Sequence, residues 1–243
     1  MSARRAGRFA AAITQENAHG RVAVIPDIKC ASPKEGDLLH GRDPVVVAKF
    51  LVRCGAPVLS VVTEREHFSG SPGLLRAVAE KAGVPVLRKD FITSESALEE
   101  SAELGASAVL LICALTDANT LAKLHEKAVT LGLEPLVEVH SENELRLAVS
   151  LGARLIGINN RNIMTLERDD GGPSRTLALA SGAPKDALLV SESGILSPDE
   201  ARLAASAGAH ALLVGTALWR THDMASMYQS LRVERGDAPC DQL

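Results

Sequence analysis

Residues 23–36 read AVIPDIKCASPKEG. The run from Ala23 to Pro26 is apolar, yet Asp27 and Lys29 follow two positions apart, and Ser32, Pro33 and Lys34 then open a polar loop. Residues at i and i+2 of a strand share a face. An interior segment therefore ends with an acid and a base on one side. The same grammar recurs in VLSVVT, VPVLRKDF, AVLLICA, PLVEVH, LIGINNR, LLVSESG and ALLVGTA, beginning near residues 58, 84, 108, 135, 155, 188 and 211. Most of these runs are continuously apolar rather than alternating, as in parallel strands covered on both faces.

Helical patterns fill the gaps. DPVVVAKFLVRCGA places Pro44 at a helix start and Gly55 just past its end. SESALEESAELGA offers Ser94 as N-cap and Gly105 as the stop. TDANTLAKLHEKAVTLG, SENELRLAVSLGA and SPDEARLAASAGA repeat the design, and the recurrent GA ending is a C-cap glycine feeding the next strand. Eight strand–helix units predict a closed α/β barrel, the (βα)8 TIM fold. No linker or charge block divides the 243 residues, so one domain is expected. The amphipathic stretch in residues 1–20 adds an N-terminal helix; residues 167–174 (ERDDGGPS) read as a long loop, and 233–243 as a flexible tail.

Composition narrows the function. Aromatic residues are only 2% and the net charge is -4, which argues against a base-stacking or basic nucleic-acid binder. No apolar run is long enough for a membrane span, and the N-terminus lacks a signal-peptide pattern, so a cytoplasmic protein is expected. Cys30, Cys54, Cys113 and Cys240 have neither metal-ligand nor redox spacing, and read as free thiols in a reducing compartment. No metal or cofactor motif is present, and none is expected.

In such barrels the carboxyl ends of the strands carry the chemistry. Here those ends bear Asp27 and Lys29; Lys89; Glu138 and His140; Asn159 and Arg161; Glu192 and Ser193. Two lysines and several acids in a partly dry mouth must pair, and such clusters shift proton affinities. Gly194 and Gly215, with Ser193 and Thr216 beside them, end the last two strands and offer a phosphate an approach to the backbone. Ser32 and Lys34 could add a contact or gate the mouth. His140 is either catalytic or a hydrogen-bonded structural group. Phe68 and Phe91 either line a pocket for a flat ring or pack under a loop. Trp219 reads as core or interface.

Together, IKCASPKEG, LSVVTEREHFSGS, VLRKDFI, LVEVHSENEL, IGINNRNIMTL, VSESGI and LLVGTAL, in this order, resemble the indole-3-glycerol phosphate synthase family from about Phe9 to about Leu231. The resemblance implies a (βα)8 barrel with an extra N-terminal helix over the mouth. It also implies closure of 1-(2-carboxyphenylamino)-1-deoxyribulose 5-phosphate to indole-3-glycerol phosphate, with release of CO₂ and water and without cofactor or metal.

By the same resemblance Lys89 is the general acid at the ketone. Lys29 pairs with the substrate carboxylate and serves in dehydration, and Glu138 is the base or dehydration partner. Asp27, Asn159 and Glu192 join the catalytic set, and Arg161 and Ser193 lie along the ring and ribulose chain. Ser32, Ser193, Gly194, Gly215 and Thr216 meet the phosphate, and Phe68, Phe91 and Ile163 wall the aromatic ring.

The chain departs from the family pattern at Asp27, where glutamate is usual, at Asn162 in place of an acid, and at Thr216 in place of glutamate. A carboxylate drawn back by roughly 1 Å can cost on the order of 10²-fold in rate. A slowed or non-catalytic paralogue that binds the phosphorylated ligand, or another phosphosugar barrel enzyme, is therefore the alternative reading. The expected partner is a small phosphorylated substrate, with neither nucleic acid nor membrane, on a monomer or weak homodimer.

Overall fold

The computed structural model describes residues 7–161 and 172–235. Eight parallel strands close a barrel in sequence order: β1 (Ala23–Ile28), β2 (Leu59–Val62), β3 (Val86–Lys89), β4 (Ala108–Ile112), β5 (Glu134–Val139), β6 (Leu155–Asn159), β7 (Leu188–Glu192) and β8 (Ala211–Val214). All eight predicted runs are barrel strands. The helices among the described residues are α1 (Arg8–Ala18), α2 (Pro44–Arg53), α3 (Pro72–Lys81), α4 (Glu95–Glu103), α5 (Ala118–Thr130), α6 (Glu142–Ser150), α7 (Ser174–Leu179), α8 (Pro198–Ser206), α9 (Thr216–Arg220) and α10 (Met224–Leu231). Ser94 and Ser141 cap α4 and α6 by accepting the Ala97 and Glu144 amides, and Asp43 does the same for α2.

Strand parity separates two cores. Ile25, Leu87, Leu110, Leu136, Val190 and Leu213 point inward and fill the barrel, while Val24, Val61, Val109, Val137, Ile156 and Leu212 pack outward against the helices. The apolar rule breaks only toward the carboxyl ends, where the inward series continues as Asp27, Lys29, Lys89, Glu138, Asn159 and Glu192.

The N-terminal helix corrects one expectation. α1 does not cover the mouth; it closes the opposite, amino-terminal end. Phe9 and Ile13, one turn apart, are fully buried among the floor residues Ala23, Val58, Ala108 and Leu155. The Phe9 and Ala10 amides donate to the two oxygens of Glu134 at 2.7 and 2.9 Å, so a carboxylate at the start of β5 caps the helix dipole. Asn17 donates from the same helix to the carbonyls of Arg21 and His210.

The first three residues of the predicted tail are anchored. Val233 is buried, its carbonyl accepts the Val22 amide at 3.0 Å, and the Arg235 amide donates to the Gly20 carbonyl at 2.9 Å, so 233–235 fasten the floor. Residues 236–243, like 162–171 with Ile163, lie outside the described residues, as does most of the predicted 167–174 loop.

A plug remote from the mouth should govern stability and not chemistry. Phe9→Ala is expected to cost about 3–5 kcal/mol of unfolding free energy, read by denaturant titration, while kcat at 25 °C stays within about twofold. A matching loss of kcat in fully folded protein would place the helix in the reaction after all.

Candidate active site

The cavity at the carboxyl end is lined by Asp27, Lys29, Lys89, Arg161, Ser193, Gly194, Gly215 and Thr216, with Ile195, Leu196, Leu213 and Val214 on its apolar side. Five strands and their loops thus meet at one opening.

On β1 the Asp27 carboxylate accepts the Ser60 hydroxyl from β2 at 2.7 Å, and its backbone carbonyl accepts the Trp219 indole N–H at 2.9 Å. Trp219 is therefore core, with Arg42 5.1 Å from its ring centre. Lys29 is only 2% exposed. Its ammonium lies 3.5 Å from the Thr216 hydroxyl and 6.0 Å from the centre of the Phe68 ring. A methyl group on Gly215 would stand 3.1 Å from Lys29 Cε and 3.3 Å from Asp27 Cβ, so the bare backbone of Gly215 leaves the room in which this acid and base lie.

Phe68 reaches the site because its loop is stapled from within: the Glu64 carboxylate accepts the amides of Glu66, His67 and Phe68 at 2.9, 2.8 and 3.1 Å. Ser69 (φ 52°) follows, and Gly70 packs its α-carbon onto the backbone of Thr63 and Glu64, where no side chain fits. Phe91, by contrast, is 38% exposed beyond β3 and contributes nothing to the cavity lining. Ser32 is buried, but its hydroxyl accepts the Glu35 amide at 3.1 Å and so shapes the turn after β1.

Glu138 and Glu192 sit behind the cavity lining, 1% and 0% exposed. Within 3.4 Å of Glu138 Oε1 is His140 Nε2, while His140 Nδ1 and its amide face Glu144 at 3.3 and 2.6 Å. Neither oxygen of Glu192 meets a donor among the described residues, nor does Glu138 Oε1. A proton on Glu192 would make one of its oxygens a donor toward Glu138. Burial, and next the negative charge of Glu138, hold the Glu192 carboxyl well above its usual range, against a smaller opposing pull from Lys89.

The sign of the resulting pH dependence is fixed. Above pH about 4.5 the unfolded chain releases this proton and the folded chain keeps it, so stability falls as pH rises. Each pH unit within that window costs up to about 1.4 kcal/mol. Glu192→Gln should flatten this decline, seen as a rise in melting temperature relative to wild type that sets in above pH about 4.5 and grows as pH rises. A constant offset at all pH values would mean that Glu192 is ionised in the folded protein.

The ends of β6 and β7 are joined on the outer side, a feature the motifs did not signal. Asn160 Nδ2 donates to Ser191 Oγ and to the carbonyls of Glu192 and Ser193 at 3.0, 3.0 and 3.1 Å, and its Oδ1 accepts the Thr176 amide at 2.9 Å. This clamp precedes two left-handed residues, Ser193 (φ 64°) and Gly194 (φ 72°). A non-glycine residue held there carries strain that surrounding contacts must sustain. Asn159 lies inward, its Oδ1 accepting the Arg161 amide at 3.0 Å. Arg88, next to Lys89 on β3, turns outward into Thr63, Asp90, Glu100 and Ser101 and is structural.

Comparison with known proteins agrees with this geometry. The family model for indole-3-glycerol phosphate synthase matches residues 1–231. Proteins of that name from Pyrococcus furiosus and Thermococcus kodakarensis are each 44% identical, over 84% and 86% of this chain and 89% and 91% of their own. One from Carboxydothermus hydrogenoformans is 42% identical over 87% of this chain and 80% of its own. A barrel whose carboxyl-end cavity joins two lysines to paired glycine turns, matched along nearly its whole length, belongs to the indole-3-glycerol phosphate synthase family.

Proposed function

We propose that the barrel mouth closes the indole ring of 1-(2-carboxyphenylamino)-1-deoxyribulose 5-phosphate, and that the side chains gathered there divide the work. The observation that carries this reading is Lys29 and Lys89 in one cavity with the Ser193–Gly194 and Gly215–Thr216 turns. The phosphate is bound by the backbone amides of those turns, which accept an anion without a Cβ in the way. Lys29 pairs with the anthranilate carboxylate under the Phe68 ring, and Arg161 supplies a further positive charge. Fixing both ends of a flexible chain folds its middle, so that ring carbon and ketone meet.

The ring carbon bearing the carboxylate attacks the ketone carbon. Lys89 gives its proton to the ketone oxygen as charge develops there. The carboxylate leaves as CO₂, and the electron pair of the broken bond restores the aromatic ring. The new hydroxyl then departs as water with a proton from Lys29, and Glu138 takes the proton released from the neighbouring carbon. Protonated Glu192 holds Glu138 in place. Asp27 offsets the charge of Lys29, and Asn159 sets the Arg161 backbone.

The shorter acid at position 27 is anchored by Ser60 at 2.7 Å rather than left loose. The reading is tested by mixing purified protein with the substrate and following indole fluorescence, for wild type and Asp27→Glu side by side. Turnover is expected in both, within about threefold. No product at high enzyme concentration overturns the reading; a strong gain in Asp27→Glu would mark an enzyme held back by its short acid.

A further inference from the structure

We infer that Gly157 is a positioning residue: by lacking a side chain, β6 leaves the slot that aims the Glu192 carboxyl at Glu138. This rests on the site reading given above and extends it to a residue that touches no substrate. In the register of the barrel Gly157 lies opposite Glu138 on one side and Val190 on the other, and Asn159 lies opposite Glu192. Its neighbours on the inward face of β6 are Leu155 and Asn159, so a side chain at 157 would also point inward.

A methyl group built there overlaps Glu192 Oε1 outright, comes within 3.0 Å of Glu192 Cδ and touches Leu136 at 3.5 Å. The backbone φ of Gly157 lies outside the left-handed region. Space, not conformation, is therefore what excludes a side chain. The colliding atom is the far end of a side chain, so the fold can survive the change. That end cannot retreat freely, however: Glu192 is fully buried, and its carbonyl is fixed by the Asn160 amide and side chain at 2.9 and 3.0 Å. A methyl group at 157 must displace the carboxyl from its place over Gly157, the residue opposite Glu138, whose Oε1 has no hydrogen-bond partner among the described residues and lies 3.4 Å from His140 Nε2.

Gly157→Ala, Glu192→Asp and the double variant test this. Aspartate is one methylene shorter and withdraws from the added methyl. Gly157→Ala alone should lower kcat at least tenfold, with KM within about threefold, while in the Glu192→Asp background the same change should cost less than threefold. Equal losses in both backgrounds, or full activity of Gly157→Ala, would overturn the assignment.

A second reading does not depend on turnover. In denaturant titrations Gly157→Ala should lower the unfolding midpoint in wild type and leave it unchanged or higher in Glu192→Ala, where the colliding atoms are gone. Equal shifts in both would overturn the placement. This coupling without any effect of Glu192→Gln on rate would uphold the placement of the carboxyl and retire its proposed part in the reaction.

Discussion

Replacing Lys89 with alanine is expected to lower kcat by about 10³–10⁴-fold, the largest effect of any single change in the mouth. General acid catalysis is worth about 10²–10⁴-fold, and removal of a preorganised donor from a developing oxyanion costs about 10²–10³. Lys89 supplies both at one atom, so the two losses coincide rather than multiply. Substrate affinity should change far less, because phosphate and carboxylate are held by other groups. Lys89→Arg keeps the charge but donates a proton poorly, and should recover only a small part of the rate. Steady-state fluorescence with kcat and KM resolved separately checks this. A tenfold loss or less in kcat for Lys89→Ala would move the acid elsewhere, with Lys29 the next candidate.

Glu138→Gln is expected to lower kcat by about 10²–10³-fold, and with a signature that a merely structural change would not produce. Its proposed step follows loss of CO₂. In a single turnover the variant should release CO₂ at close to the wild-type rate while indole fluorescence lags far behind. The shape of the site is kept, since an amide still presents an oxygen and an N–H to Glu192 and His140. Equal slowing of CO₂ and indole would assign Glu138 to the ring closure itself.

Most of the barrel was legible because parallel strands buried on both faces leave unbroken apolar runs, and those runs end where the inward face turns polar. Asp27, Lys29 and Lys89 could be assigned to one mouth by strand parity alone. The position of α1 could not. Phe9 and Ile13 form an apolar stripe that suits either end of a cylinder, and the deciding partner, Glu134, lies 125 residues from Phe9.

The outward clamp of Asn160 was hidden for a related reason. Its side chain joins β6 to β7 and to the start of α7, and such lateral bonds leave no local period. Gly157 looked like one more small residue in LIGINN until the strand beside it placed a carboxyl against its α-carbon. Phe91 follows a strand in the loop region as Phe68 does, yet only Phe68 is drawn inward, because the Glu64 carboxylate gathers its loop.

The most direct test is a crystal structure with the unreactive ribitol analogue of the substrate, in which a hydroxyl replaces the ketone. The phosphate should lie on the Ser193–Gly194 and Gly215–Thr216 backbones, the carboxylate on Lys29, and the replacing hydroxyl within hydrogen-bond distance of Lys89 Nζ. A phosphate bound away from those turns, or a Lys89 ammonium directed away from that hydroxyl, would contradict the division of labour proposed for this mouth.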